Sequence, residues 1–197
     1  MNHYYSKNPD IKHDLGKINY KVNDHLIELI TDAGVFSKNK VDFGSDLLIK
    51  SVPPFKGTAL DIGCGYGILG ISLALLNSES FISMIDINSR AIDLTLKNIK
   101  LNNVKNASAF LSDGFLNVSD KFDLIVTNPP IRTGKKVIYP IYESSINFLN
   151  TGGSIYLVVQ KKQGALSTIE KLNSIYGNCE VIAKDKGYWI IKSTKSS

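Results

Sequence analysis

The sequence predicts an α/β fold, a doubly wound and mostly parallel sheet, on three observations. From Thr58 onward, short apolar runs alternate with longer stretches of helical periodicity, the pattern of strands alternating with helices. The stretch Asp61-Ile62-Gly63-Cys64-Gly65-Tyr66-Gly67-Ile68-Leu69-Gly70 places three glycines at alternate positions between a strand signal and a helix signal. Near the end, Cys179–Ala183 and Gly187–Ile191 read as an antiparallel pair, which completes seven strands.

Bulk properties fit a soluble globular chain. It has 197 residues, 43% apolar and 21% charged, enough for one full α/β domain and a small extension. The reading divides it into residues 1–34, an N-terminal extension with a β-hairpin packed on the core, and residues 35–197, the main domain. No stretch approaches the roughly 18 apolar residues of a membrane span, and Met1–Tyr5 lacks the apolar core of a signal peptide, so no membrane partner is expected. Two cysteines, Cys64 and Cys179, give neither a disulfide framework nor a metal site, and imply a reducing cytoplasm. The net charge of +5 is compatible with RNA and equally with solvated lysines.

In order, Lys17–Val22 alternates polar and apolar, Asn23-Asp24 signals a turn, and His25–Thr31 returns as a second strand. This hairpin is expected to cover an edge of the sheet, or else to guide a substrate. Ser45 is the expected N-cap of a helix over Asp46–Val52, stopped by Pro53-Pro54. Thr58–Leu60 is a buried strand and Ile68–Leu76 the helix after the glycines. Phe81–Ile85 is a strand ending in Asp86, where an acid can accept both hydroxyls of a ribose or cap the next helix, Ala91–Leu101. Ala107–Leu111 leads to Asp113-Gly114, either a ligand contact or a simple turn. Phe122–Thr127 is a central strand, apolar on both faces. Tyr142–Leu149 is expected to be helical, Ser154–Val159 a strand, and Ala165–Tyr176 a helix.

The segments Leu60–Gly67, Asp86 and Asp123–Ile131 together resemble the ordered motifs of class I S-adenosylmethionine-dependent methyltransferases, over roughly residues 35 to 193. Asp123-Leu124-Ile125-Val126-Thr127-Asn128-Pro129-Pro130-Ile131 is similar to the N-P-P motif of amino-group methyltransferases. Val35-Phe36-Ser37, Asp42-Phe43-Gly44-Ser45 and the tail Ile131–Lys135 resemble RsmC-type ribosomal RNA guanine-N2 methyltransferases of small-domain form. The resemblance implies a Rossmann-like methyltransferase sheet whose last strand is antiparallel. It also implies S-adenosylmethionine as cofactor, held by Asp61, Gly63, Cys64, Gly65, Gly67, Asp86, Ile87, Asp113, Gly114 and Asn128. Asn128, Pro129 and Pro130 become the catalytic candidates. Two acceptors, the Asn128 amide oxygen and the Pro129 carbonyl, would draw a conjugated amine toward a pyramidal, nucleophilic form; the prolines fix φ and leave their carbonyls free to accept.

Substrate contacts are assigned to Phe36, Ile131, Arg132, Lys135 and Lys136. Phe36 and Phe43 serve either as pocket walls or as core aromatics, and the three cations either meet phosphates or form a solvated charge run. The implied partner is ribosomal RNA or a ribosomal assembly particle, without a metal. Ile131 departs from the aromatic residue of adenine and glutamine enzymes. Those two targets, and a non-catalytic RNA-binding module of the same fold, are the competing readings. A nicotinamide dinucleotide fits poorly with Asp61 before the glycines, although Gly70 leaves a shifted glycine spacing open.

Overall fold

The structure is a computed structural model that describes residues 12–35 and 39–196. Seven strands form one sheet: β3 (Gly57–Ile62), β4 (Ser80–Asp86), β5 (Ala107–Leu111), β6 (Phe122–Thr127), β7 (Leu149–Gln160), β8 (Glu180–Asp185) and β9 (Tyr188–Thr194). Their order is β5-β4-β3-β6-β7-β9-β8. Neighbours from β5 to β7 are parallel, whereas β9 is antiparallel to both β7 and β8. The order reverses between β3 and β6, the switch point where an open α/β sheet leaves a crevice at its carboxyl edge.

Alternation along the strands divides the core. Ala59, Leu124, Val126, Tyr156, Val158 and Ile190 face one layer, with α1 (Phe43–Ser51), α2 (Ile68–Leu76) and α3 (Ser89–Leu101). Leu60, Ile125, Ile155, Leu157, Val159 and Ile191 face the other, under α4 (Lys135–Ser145) and α5 (Ala165–Tyr176). Period-2 strands buried on both faces need such a two-sided cover. Among the described residues no helix is long and apolar enough to cross a membrane.

Three expectations are corrected. The helix expected over Asp46–Val52 spans Phe43–Ser51, and its cap is Asp42, whose side chain accepts from the Ser45 N–H. Aspartate caps as well as serine does, and here it stands three residues ahead of an unpaired first-turn donor. The helix expected over Tyr142–Leu149 begins instead at Lys135; Ile146–Phe148 is a short 3-10 turn and Leu149 opens β7. Pro140 lies inside α4, and the helix tolerates it because the buried face is built by Ile138, Tyr142 and Ser145 at spacings of four and three.

The third correction concerns the hairpin of β1 (Leu15–Val22) and β2 (His25–Asp32), paired from Leu15–Asp32 to Val22–His25. It forms a sheet of its own and lies against α3 instead of covering a sheet edge. Two asparagines make the dock. Asn98 Oδ1 accepts from the Ile30 N–H at 2.8 Å, while its Nδ2 donates to the Ile30 carbonyl at 3.0 Å and the Tyr66 carbonyl at 2.8 Å. Asn102 repeats the exchange with Glu28, at 3.0 and 2.8 Å. Four helix residues rise about 6 Å and two strand residues about 6.7 Å, so an i,i+4 pair can serve alternate residues of a strand edge. The amides thereby pair backbone groups on β2 that would otherwise be open to another chain.

Asn98 is 0% exposed, so its removal leaves buried groups without partners. Asn98→Ala should cost about 3 kcal/mol, a fall in Tm of roughly 6–12 °C at this chain length. Thermal unfolding against Lys17→Ala, which removes an exposed ion pair with Glu28, provides the comparison; the latter should shift Tm by no more than about 4 °C.

Candidate active site

Four parallel strands deliver four segments to the carboxyl edge: the glycine loop after β3, Asp86 at the tip of β4, Ser112–Phe115 after β5 and Asn128–Pro130 after β6. In the glycine loop, Gly63 has φ +73°, and a Cβ there would point into open space with nothing within 4 Å. Gly67, at φ +91°, is the N-cap of α2, and a Cβ on it would press against Thr95 and Ile71. The two glycines therefore answer different demands. Gly63 leaves room for a ligand, whereas Gly67 lets α2 and α3 close on each other and lies away from the cavity.

That cavity has a volume of about 720 Å³, within the range of pockets for small molecules and cofactors. Asp61, Gly63, Cys64, Gly65, Asp86, Ile87, Asp113, Gly114, Asn128 and Pro130 all line it. Among the described residues its titratable lining includes four aspartates, Asp42, Asp61, Asp86 and Asp113, and no lysine, arginine or histidine. Such a lining repels a pyrophosphate and suits a ligand with positive charge and hydroxyl groups.

Asp86 is fixed for that task. Its Oδ2 accepts from the Gly65 N–H at 2.9 Å and its Oδ1 from the Asn88 N–H at 2.9 Å. Burial raises its pKa above the ordinary carboxylate range, and the donated backbone hydrogen bonds partly offset this. Asp61, only 1% exposed, accepts from the Gly70 N–H in the first turn of α2 at 2.9 Å. Burial pushes its pKa from 3.8 up to about 7; the Gly70 hydrogen bond opposes the rise and the charge of Asp86 adds to it. Cys64 has its Sγ 3.6 Å from Thr95 Oγ1, and burial, with the charges of Asp86 and Asp61, pushes the thiol well up. It is a wall of the cavity and remains protonated at neutral pH.

Ser112 shapes the Asp113-Gly114 turn by donating to the Gly114 carbonyl at 2.7 Å and accepting from the Asn117 N–H at 3.1 Å. Asp113 stands exposed at the lip. Asn128 follows Thr127, whose hydroxyl ties β6 to β3 through the Ile62 carbonyl at 2.8 Å. The Asn128 amide nitrogen faces Asp42 and Ser45. The two prolines differ from expectation. Pro130 has φ −74° and ψ 69°, an inverse γ-turn, in which the Pro129 carbonyl accepts the Ile131 N–H at 2.8 Å. One of its two lone pairs is already used, and Pro129 is buried outside the cavity lining.

Ile131, Arg132, Lys135 and Lys136 lie on the turn and the start of α4, outside the cavity, with Ile131 packed on the α4–α5 layer. Phe36 falls outside the described residues. Phe43 does not line the cavity; its ring lies 5.5 Å from that of Tyr188, with Lys186 Nζ 4.6 Å above it. An apolar wall of Val137, Pro140, Ile141 and Phe148 went unread in the sequence. The signal was present, because Val137, Pro140, Ile141 and Ser144 fall at i, i+3, i+4 and i+7 on one helical face, but Pro140 masks it. The bond from Asn128 to Asp42 spans 86 residues and has no local signature.

The sequence model of the family described as "Methyltransferase small domain" matches residues 26–192. The chain is 45% identical over 197 residues to the "Uncharacterized protein YbxB" of Bacillus subtilis (strain 168), covering 98% of each. It is 31% identical over 176 residues to the ribosomal RNA small subunit methyltransferase C of Aliivibrio fischeri (strain ATCC 700601 / ES114), covering 87% of this chain and 51% of that one. It thus spans about half the length of the relatives that carry that name. The fold matches T. thermophilus 16S rRNA methyltransferase RsmC, solved with AdoMet and guanosine, at a TM-score of 0.82 and 24% identity over 92% of this chain and 50% of that one. A methyltransferase from Pyrococcus furiosus follows at a TM-score of 0.68 and 21% identity, over 77% and 81%.

The raised pKa of Asp61 has a signed consequence for the ligand-free protein. Between pH 4 and 7 the folded state retains a proton that the unfolded state has lost, so stability falls as pH rises through this window. A shift from 3.8 to about 7 corresponds to roughly 4 kcal/mol as an upper bound. Denaturant unfolding at several pH values should show this decline, and Asp61→Asn should flatten it.

Proposed function

This chain belongs to the methyltransferase small domain family, and from that premise we propose that it methylates the exocyclic N2 amine of a guanine in ribosomal RNA of the small subunit, in the cytoplasm. The observation that carries the reading is the Asn128 amide at the carboxyl end of β6, lining the cavity with its nitrogen tied back to Asp42 and Ser45. Its oxygen is thereby left for a donor in the cavity. Relatives named ribosomal RNA small subunit methyltransferase C support the target.

S-adenosylmethionine is the cofactor, and when bound it supplies an already activated methyl group on a sulfonium. The residues present fit it. Asp86, held by two backbone donors, retains acceptor capacity for ribose hydroxyls. Asp113 and the Gly114 N–H are assigned to the adenine edge, and Asp61 contributes negative charge opposite a cationic group. Gly63 permits close approach, while Gly65 acts by holding Asp86. Ile87 and Cys64 are walls.

Asn128 Oδ1, in the cavity lining, accepts from the target amine. As the amine nitrogen attacks, its lone pair leaves the ring, and an acceptor on one of its hydrogens stabilises the charge that develops there. Pro130, Val137, Pro140 and Ile141 supply an apolar face for a planar base. Orientation of this kind can contribute roughly 7–11 kcal/mol of the barrier. The hairpin of β1 and β2 serves the catalytic unit as a buttress of α3.

Arg132, Lys135 and Lys136 follow β6, Lys161 and Lys162 follow β7, and Lys186 precedes β9, all exposed at the same carboxyl edge. Together they offer phosphate contacts around the cavity mouth. Replacing Arg132, Lys135 and Lys136 by alanine should weaken RNA binding and reduce its salt slope by about 2, the single-strand value for three contacts. Titration at several salt concentrations measures it, with cofactor affinity unchanged.

The target is tested by mass spectrometry of ribosomal RNA nucleosides from a strain lacking the protein. N2-methylguanosine should fall and should return on complementation with the wild type but not with Asn128→Ala. An unchanged level, with loss of a methylated adenine or glutamine instead, overturns the reading.

A further inference from the structure

The Asn128 amide is held by two residues from a different part of the chain. Its Nδ2 lies 3.3 Å from each carboxylate oxygen of Asp42 and 3.0 Å from Ser45 Oγ. We propose that Asp42 and Ser45 are positioning residues that set the direction of the catalytic amide, an inference that rests on the methyl-transfer reading of Asn128.

An asparagine amide is nearly symmetrical in shape, so its neighbours decide which end faces which way. An ionised carboxylate accepts only, and it therefore selects the NH2 end. The flipped amide would set Oδ1 against the carboxylate, acceptor on acceptor. With one hydrogen shared by the two Asp42 oxygens and the other on Ser45, both donors are engaged. Oδ1 is then the group turned to the cavity that Asp42, Ser45 and Asn128 all line. A carboxylate on the nitrogen side also polarises the amide and makes its oxygen a stronger acceptor.

The clamp rests on rigid parts. Asp42 is the N-cap of α1, and the same Oδ1 that meets Asn128 accepts from the Ser45 N–H at 3.1 Å. Ser45 is 4% exposed, and Leu48 and Ile49 anchor the helix at 0% and 1%. Tyr20, from the hairpin, donates to Asp46 in the first turn at 2.8 Å. One carboxylate thus joins the start of α1 to the end of β6, and a shift of the helix would turn the amide.

The test is single-turnover methylation of deproteinised small-subunit rRNA taken from a strain lacking the protein. It uses the wild type, Asp42→Ser, Asp42→Asn, Ser45→Ala, Asn128→Ala and the Asp42→Ser/Asn128→Ala double variant. Serine retains a good helix cap, and Tm establishes that each variant folds. Asp42→Ser should slow transfer by about tenfold to a hundredfold at saturating cofactor. Asp42→Asn, which keeps an acceptor, should recover part of the rate. In the Asn128→Ala background, Asp42→Ser should change the rate by less than about twofold, because a residue that acts only through Asn128 has nothing left to orient. A wild-type rate for Asp42→Ser, or a full additional loss in the double variant, overturns the inference. NMR keeps the clamp separate from the choice of target. The Asn128 side-chain NH2 signals, identified by their absence in Asn128→Ala, should be protected from exchange in the wild type and shift in Asp42→Ser. If the wild type transfers no methyl to this RNA, the target reading fails while these signals still decide the clamp, and signals that Asp42→Ser leaves unmoved overturn it.

Discussion

The buried amide of Asn98 is the joint on which the glycine loop depends. A loop with positive φ at Gly63, Gly65 and Gly67 has three residues whose backbone is unusually free in the unfolded chain. Its freedom is removed from beneath, because the Gly65 carbonyl accepts from Thr95 at 3.0 Å and the Tyr66 carbonyl from Asn98 at 2.8 Å. Thr95 and Asn98 are both 0% exposed, so water does not compete for these bonds. With the carbonyls held on one side, the Gly65 N–H on the other side is aimed at Asp86. The hairpin enters through the same amide, so an element remote from the cavity helps to fix its floor.

The acidic interior results from two opposing terms. Helix α2 begins without an acidic first-turn residue or a side-chain cap, and Asp61 supplies the negative charge at its N-terminus through the Gly70 N–H. A charge at a helix terminus is stabilised by about 0.3–1 kcal/mol, up to roughly 2 in partly buried geometry. Burial weighs more, since a rise from 3.8 to about 7 represents roughly 4 kcal/mol against the charged form. The protein alone therefore leaves Asp61 under-compensated. A cation in the cavity relieves that imbalance.

Much of this architecture was legible locally. The bounds of α2, α5, β5 and β6 coincide with the sequence reading, because each is a run with one dominant demand, either burial on all sides or a single apolar stripe. Asp86, Asp61 and Asn128 were legible because the motif spacing fixes them to strand ends, and strand ends fix them to one sheet edge. The errors arose where a second demand competed. At α1 two good caps stand three residues apart, and only the helix start chosen by packing decides between them. At α4 the Pro140 signal outweighed a 3.6-residue period, though the proline faces the cavity and leaves the buried stripe intact. The hairpin's place was not legible, because pairing of Asn98 and Asn102 with Ile30 and Glu28 joins residues 68 and 74 apart. The engagement of the Pro129 carbonyl was equally hidden; N-P-P fixes φ, and the γ-turn depends on the ψ of Pro130.

On the proposed reading, charge is sorted by depth at the carboxyl edge. Among the described residues the cavity lining contains aspartates and no basic side chain, whereas Arg132, Lys135, Lys136, Lys161, Lys162 and Lys186 are exposed around it. A phosphate is attracted to the rim and repelled by the interior, so a nucleotide can enter only by its base. A neutral planar base carries no net charge to be repelled there, and the apolar wall of Val137, Pro140 and Ile141 can cover its ring face. Screening reinforces the division. Salt at physiological strength weakens interactions at the exposed rim beyond about 8 Å, while those in the buried interior are screened much less. Rising salt should therefore loosen the RNA before it affects the cavity, which separates the grip on the strand from the geometry of the amine.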